Sequence, residues 1–161
     1  MKIIGNPIRP GKWAEYRRVA FVAHALTPKH PSTALINQRL DELGLNWPGE
    51  GEEPGFAINW FSFPVWPNCI EGKWNPVWVD FYIIPVMGFP FLKNCRNGRA
   101  YKWAESVALA VIEEAQQDGV ELTLGWGAMT KVATNHGQLF LDNHTEIADK
   151  FNSTHGDAGT A

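Results

Sequence analysis

The amino-acid sequence predicts a single α/β domain of three layers, in which a mostly parallel sheet carries helices on both faces. A helical pattern over residues 98–118 is followed by a glycine, a short apolar strand at 120–124 and a glycine-rich turn at 125–127, which is the order of an α/β unit. Residues 18–25 form an apolar run without polar alternation, typical of a strand buried on both faces. A length of 161 residues with 45% hydrophobic content suits one core.

The remaining elements are predicted from their composition and boundaries. Apolar residues at helical spacing over 31–43 indicate an amphipathic helix. The stretch 46–55, rich in proline, glycine and glutamate, is expected to be an exposed acidic loop. Aromatic and β-branched residues bounded by prolines predict strands at 56–63 and 77–84. Two prolines and a glycine within residues 85–94 predict an irregular loop with apolar contents.

Composition and charge exclude several classes of protein. The 14 basic residues are scattered and are outnumbered by 17 acidic ones, so nucleic acid is not an expected partner. No apolar run approaches the roughly 18 residues that span a bilayer, and the N-terminus lacks an apolar signal core, so a cytoplasmic protein without a membrane span is expected. Two cysteines are too few for a disulfide scaffold. Whether the protein is a monomer or a homo-oligomer is left open.

The glycine-rich turn at 125–127 is the most informative candidate site. It follows a strand, and open α/β sheets bind ligands at the carboxyl ends of their strands. If a helix begins near Ala128, its free N–H groups, the hydroxyl of Thr130 and the ammonium of Lys131 could hold an anion or a carbonyl oxygen. A tight turn with a solvated lysine is the plainer alternative. His24 lies at the end of an apolar strand. It is expected to be either a site residue or a hydrogen-bonded histidine at the rim of the core.

Other motifs bear on cofactors and metals. The fingerprints G-x-G-x-x-G and G-x-x-x-x-G-K-[ST] do not occur in the sequence, so the chain lacks the usual phosphate loops. A group of histidines and aspartates in the last quarter of the chain offers a metal site, formed by His136, Asp142, His144, His155 and Asp157. Their spacings match no recognised ligand pair on one helical face, so an ordinary solvated loop remains the alternative.

Thiols and aromatic residues give two further candidates. Cys95 lies next to Lys93 and Arg96, an electropositive neighbourhood that lowers a thiol pKa. Neither Cys95 nor Cys69 has an assignable histidine or aspartate partner, so both are expected to be incidental thiols. A wide apolar pocket for an acyl chain or a small acid is predicted from Phe63, Val86, Met87, Phe89 and Phe91.

Three segments together resemble one known family. Residues 21–27, FVAHALT, are similar to its F-x-x-H-P-L motif. Residues 98–130 are similar to its A-x-x-x-G-(V/I) segment leading into an L-G-(G/A)-(F/L)-T-(S/K) turn, and residues 153–161, STHGDAGTA, resemble its T-T-G-N-S-x-T-A segment. The family is the N-terminal domain of predicted amino-acid dehydrogenases related to the fatty-aldehyde-forming acyl-carrier-protein reductases. The chain departs from the pattern at Ala25, where proline is usual, and at the bulky Trp126.

This resemblance implies the substrate-binding half of an NADP(H)-linked oxidoreductase that reduces an acyl thioester or related carbonyl compound. In that family a Rossmann domain binds the cofactor, and the acyl pocket lies between the two domains. Residues 1–161 are therefore expected to be the leading part of a longer protein, with the Rossmann domain after Ala161, and to be inactive alone. The expected partner is a small acyl or carbonyl substrate, with acyl carrier protein as a candidate carrier.

Under this interpretation Lys131 and Thr130 orient or protonate the carbonyl oxygen, and His24 lies at the rim of the site. Gly125 and Gly127 allow the backbone to approach the substrate closely. Three further residues are expected to contact the substrate: Trp126, Met87 and Phe89. Two alternatives of other classes stay open, namely a metal-dependent hydrolase that uses the histidine and aspartate group, and a non-catalytic acyl-binding module.

Overall fold

A computed structural model describes residues 1–5, 9, 16–49, 51–65 and 77–147, together with the backbone of 155–157. The strands are β1 (Lys2–Ile4), β2 (Arg17–His24), β3 (Phe56–Val65), β4 (Val77–Ile84), β5 (Leu122–Trp126) and β6 (His155–Asp157). The helices are α1 (Pro31–Glu42), α2 (Gly88–Cys95), α3 (Arg99–Asp118), α4 (Thr130–Ala133) and α5 (Gln138–Asn143). The predicted strands at 56–63 and 77–84 and the predicted helices at 31–43 and 98–118 are confirmed.

The six strands form one mixed sheet in the order β1-β3-β4-β2-β5-β6. Four of the five neighbouring pairs are parallel, and only β3 and β4 are antiparallel. The α/β class and the mostly parallel sheet are therefore confirmed. Because β4, β2 and β5 run in the same direction, with Val22 opposite both Tyr82 and Trp126, their carboxyl ends meet at one edge. We refer to this as the carboxyl edge of the sheet.

The core lies mainly between the sheet and α3, where alternate residues of β2 such as Ala20 and Val22 are fully buried. The residues between them, among them Val19 and Phe21, are only half-buried. A smaller cluster joins Ile36 and Leu40 of α1 to three residues at or near the strand ends, namely Ala25, Ile58 and Ile83. The prediction that residues 18–25 are buried on both faces is therefore wrong for most of β2.

The irregular loop predicted at 85–94 is also wrong, because α2 spans Gly88–Cys95. Pro90 lies in the first turn of this helix, where backbone N–H groups have no acceptor within the helix and proline removes no bond. Phe91, in the same turn, is fully buried. The proline that predicts a helix breaker thus occupies one of the few helical positions that tolerate it.

The strand predicted at 120–124 is displaced by two residues, because β5 spans Leu122–Trp126. Gly125 is therefore a strand residue opposite Phe21 rather than part of a turn. A Cβ atom at Gly125 would lie 2.5 Å from the Phe21 ring, so glycine is needed here to admit an aromatic side chain from the neighbouring strand. The turn itself begins at Gly127.

Candidate functional site

The turn after β5 is held to β2 by hydrogen bonds. The N–H of Gly127 donates to the carbonyl of Val22 at 2.9 Å, and the hydroxyl of Thr130 donates to the same carbonyl at 2.7 Å. Thr130 is fully buried, while Lys131 is half-buried. Binding of a substrate carbonyl by Thr130 would require its hydrogen bond to the backbone to open, so in this structure the hydroxyl positions the turn.

His24 joins this turn to α2. Its Nδ1 lies 2.5 Å from the Ala25 carbonyl, and its Nε2 accepts the N–H of Met129 at 3.0 Å, an arrangement that fits the neutral ring with the proton on Nδ1. The ring stacks on Phe91 with centroids 4.4 Å apart. Burial lowers the pKa of His24, which favours the uncharged ring. The structure therefore brings His24, Gly127 and Thr130 together at the carboxyl edge, with both histidine nitrogens engaged by the backbone.

Trp126, expected to contact the substrate, is fully buried and packs against Phe140 with ring centroids 5.6 Å apart. Met87 and Phe89 lie apart from it, next to the carboxyl end of β4, and Phe89 is 81% exposed. The structure thus separates the predicted contact residues, with Trp126 in the core and the other two at the surface.

A cleft of about 450 Å³ opens beyond the carboxyl end of β4. It lies between the loop after α1, the start of α2 and the start of α3. Its apolar lining is Trp47, Pro48, Pro85, Val86, Met87, Pro90 and Trp103. We call it the apolar cleft. Of the apolar pocket residues predicted from sequence, Val86 and Met87 line it, whereas Phe91 is fully buried and Phe63 lies on β3.

Arg99, the first residue of α3, also lines the apolar cleft. Its guanidinium lies 5.7 Å from the centre of the Trp103 ring, its Nε is 3.4 Å from a carboxylate oxygen of Glu53, and its Nη2 is 3.4 Å from the carbonyl of Gly51. Arg99 is not among the site residues predicted from sequence. The signal for it was an arginine at a predicted helix start, with an acidic loop elsewhere in the chain to pair with it.

A second cleft of about 300 Å³ adjoins the first and shares Gly51, Pro90, Asn94 and Arg99 with it. Its remaining lining residues are Phe89, Lys93 and Asn97. We call it the cationic cleft, because two basic residues and no acidic residue line it. The exposed Phe89 therefore borders this second cleft.

A buried ionic network lies on the other side of the molecule from these clefts, near the amino end of β2. Arg18 and Asp80 have no exposed side-chain surface and are joined by a bond of 2.7 Å between Nε and Oδ2. Arg18 also contacts Glu114 at 2.7 Å and the hydroxyl of Tyr82. Arg9 donates to both Asp80 oxygens, at 2.6 and 2.8 Å. The network therefore pairs two arginines with two carboxylates.

The network sets the ionisation of its own members. Burial would raise the pKa of Asp80, but hydrogen bonds and charge from Arg9 and Arg18 outweigh burial and hold that pKa below its usual range. Burial is also the main cause that raises the pKa of Tyr82 to about 12. In the sequence, the signal of such a network is the single aspartate within the apolar strand VWVDFYII.

The predicted metal residues are not brought together among the described side chains. His144 Nε2 lies 2.8 Å from a carboxylate oxygen of Glu105, and Asp142 accepts a hydrogen bond from the side chain of Gln138 at 2.7 Å. Within the described part of the chain there is no group of three or more histidine, cysteine, aspartate or glutamate residues able to hold a metal. The side chains of His155 and Asp157 lie outside the described residues.

Cys95 is a half-buried free thiol, and burial raises its pKa. The expectation that its basic neighbours in sequence lower this pKa is therefore wrong, and the thiol is not activated in this structure. Cys69 lies outside the described residues.

Comparison of the chain with models of known protein families, with curated proteins and with solved structures finds no match. The resemblance described above therefore stays a prediction that rests on the sequence segments alone. Among the described residues, no helix combines the length and apolar character needed to cross a membrane. The fold places the protein in the broad class of α/β proteins with a mostly parallel sheet.

Proposed function

We propose that this chain is the substrate-binding half of an NADP(H)-linked oxidoreductase acting on an acyl thioester or a related carbonyl compound. The observation that carries the proposal is the position of the apolar cleft, at the carboxyl edge of a mostly parallel sheet. Ligands of open α/β sheets bind outside the carboxyl ends of the strands. A cleft of about 450 Å³ falls within the range of small-molecule sites.

The two parts of the carboxyl edge suit the two parts of such a substrate. Tryptophan, proline and methionine side chains in the apolar cleft suit an acyl chain. The turn that carries Gly127 and Lys131 would face the reacting carbonyl. His24 links the parts, because its ring contacts Phe91 of α2 and accepts a hydrogen bond from the backbone of the turn. In this proposal His24 is a positioning residue rather than a proton donor.

The proposal leaves the cofactor to a separate Rossmann domain. The sequence has no glycine fingerprint for a dinucleotide, so no residue of this chain is assigned to NADP(H). Acyl carrier protein as the carrier of the acyl group and a cytoplasmic location belong to the same proposal. So does a three-layer arrangement with helices on both faces of the sheet, which is supported by the two separate core clusters formed by α3 and α1.

Titration of the isolated chain with octanoyl coenzyme A, followed by tryptophan fluorescence, tests the proposal. We expect saturable quenching, because Trp47 and Trp103 line the apolar cleft, and no micromolar binding or oxidation of NADPH. Met87→Trp should weaken this binding by filling the cleft, whereas Leu35→Trp, at an exposed position on α1, should not. Tight NADPH binding with reduction of the thioester by the isolated chain would contradict the proposal.

A non-catalytic acyl-binding module would bind the same thioester, so a second observation must separate it from the oxidoreductase half. The coding sequence beyond Ala161 provides one. A strand followed by G-x-G-x-x-G within about 30 residues supports the oxidoreductase half. A stop codon or an unrelated continuation supports the binding module.

A further inference from the structure

We infer that the ligand of the apolar cleft carries an anionic oxyacid group, a carboxylate or a phosphate, on an apolar body, and that Arg99 is the residue that selects for this group. The inference deepens the proposed function and rests on it, because it concerns the same cleft. It adds a charge requirement that neither the apolar lining nor the position of the cleft imposes.

The two adjoining clefts suit different parts of one ligand, the apolar cleft an apolar part and the cationic cleft an anionic part. Aromatic, proline and methionine side chains dominate the apolar cleft. The cationic cleft holds Lys93 and Arg99 together with the side-chain amides of Asn94 and Asn97. Arg99 and Asn94 line both clefts, so one ligand can occupy the two at once. Amide and cationic donors are the groups that bind carboxylates and phosphates. An anionic ligand at Arg99 would take the place of the Glu53 carboxylate, which lies 3.4 Å from the guanidinium.

The guanidinium of Arg99 has N–H groups that its present contacts do not use. Its contacts with Glu53 and with the Gly51 carbonyl are both long, at 3.4 Å, and a guanidinium has five N–H groups. The central carbon of the guanidinium lies 5.7 Å from the centre of the Trp103 ring, a cation–π contact that uses none of the N–H groups as hydrogen-bond donors. An oxyacid group that receives two parallel hydrogen bonds from the guanidinium would be held more strongly than the present partners.

The charges decide in which cleft the anionic group lies. Glu52 lines the apolar cleft, with a carboxylate oxygen that accepts the N–H of Gly49 at 2.8 Å. An anion placed in that cleft would be repelled by Glu52. An anion placed in the cationic cleft would instead be attracted by Lys93, which makes no ion pair within the described part of the chain. The anionic group is therefore assigned to the Lys93 side of Arg99, and the apolar body to the side of Trp47 and Met87.

The experiment compares three ligands with the same eight-carbon chain: octanoate, octyl phosphate and 1-octanol. Binding to the full chain is measured by tryptophan fluorescence and by calorimetry. We expect at least one of the two anions to bind ten-fold or more tightly than octanol, and the two anions distinguish a carboxylate ligand from a phosphate ligand. Equal binding of all three overturns the inference but leaves the proposed acyl cleft standing, while binding of none overturns both.

Variants then assign the effect to its residues. Arg99→Ala should remove the preference for the anions and leave octanol binding within about two-fold. The matched control is Arg17→Ala, since Arg17 is likewise an exposed arginine paired with a glutamate, at the opposite end of the sheet. Unchanged anion binding by a folded Arg99→Ala protein would contradict the assignment.

Discussion

Two arginines, Arg18 and Arg99, lie in opposite regions of the molecule and have opposite surroundings. Arg18 is fully buried at the amino end of β2 and reaches Asp80 and Glu114 at 2.7 Å each. Arg99 lies at the carboxyl edge, with side-chain exposure of 36%, and its guanidinium contacts Glu53 and the Gly51 carbonyl at 3.4 Å each. One guanidinium is surrounded by short ionic contacts inside the protein, and the other has long contacts at the mouth of two clefts.

These different surroundings predict different roles for the two arginines, stability for Arg18 and ligand binding for Arg99. A buried ion pair is costly to break, because removing one partner leaves the other charge without compensation in the interior. An exposed pair contributes little to stability, since water solvates either partner when the other is lost. We therefore expect substitutions in the ionic network to unfold the protein, and substitutions at the clefts to change ligand binding in a protein that stays folded.

The largest expected effect is that of Asp80→Ala. It leaves the buried guanidinium of Arg18 with a single carboxylate partner, Glu114, and should lower the free energy of unfolding by about 3–5 kcal/mol in urea denaturation. The control is Glu121→Ala, which breaks the exposed pair with Arg17 and should cost less than about 1 kcal/mol. Similar losses in the two variants would show that burial does not distinguish these ion pairs.

Next in size is Gly125→Ala, which tests whether this glycine serves the sheet or the substrate. Its new Cβ would lie 2.5 Å from the Phe21 ring, so overpacking should cost about 1–3 kcal/mol in thermal unfolding. Gly55→Ala is the control, because a Cβ there meets no atom within 4 Å. In a Phe21→Ala background the cost of Gly125→Ala should largely disappear. A cost that persists there would have to come from a contact other than Phe21.

A smaller effect should follow from the titration of His24. Burial lowers the pKa of this ring in the folded state, so the unfolded chain binds its proton first as the pH falls. Stability should therefore decline below about pH 6.5, by at most about 1.4 kcal/mol per pH unit. Denaturation of the wild type and of His24→Gln between pH 7.5 and about 5 checks this. The decline should be weaker in the variant, and an equal decline would exclude His24 as its source.

The smallest effect on stability is expected for Arg99→Ala. Because the pair with Glu53 is exposed, its loss should change the free energy of unfolding by less than about 1 kcal/mol, although the variant should no longer prefer anionic ligands. Parallel urea denaturation and ligand titration on one preparation provide the comparison. A strongly destabilised variant would place Arg99 among the structural arginines and remove the contrast with Arg18.

The sequence predicts the elements whose patterns are local. The 3.6-residue period over 98–118 and the aromatic runs at 56–63 and 77–84 identify α3, β3 and β4, since each pattern reports its own secondary structure. Pro90 misleads, because its effect depends on its position in the turn of α2.

The site is harder to predict, because its features depend on contacts between distant segments. Gly125 has its steric reason in Phe21, more than one hundred residues earlier. The sequence around Gly125 therefore suggests a turn, although the turn lies two residues further on. Arg99 becomes a candidate only when the fold places it beside Trp47 and Met87. The partners of Asp80 likewise come from segments that sequence spacing does not connect.

The central claim is that the ligand binds in the apolar cleft at the carboxyl edge. Two-dimensional ¹H–¹⁵N spectra of the tryptophan indole groups, recorded during titration with octanoate, test this directly. We predict that the signals of Trp47 and Trp103, which line the cleft, shift, while those of Trp78 and Trp126, which lie in the buried part of the sheet, stay in place. Shifts confined to Trp60, which lies beside a different surface cleft near α1, or no shift at all, would contradict the account.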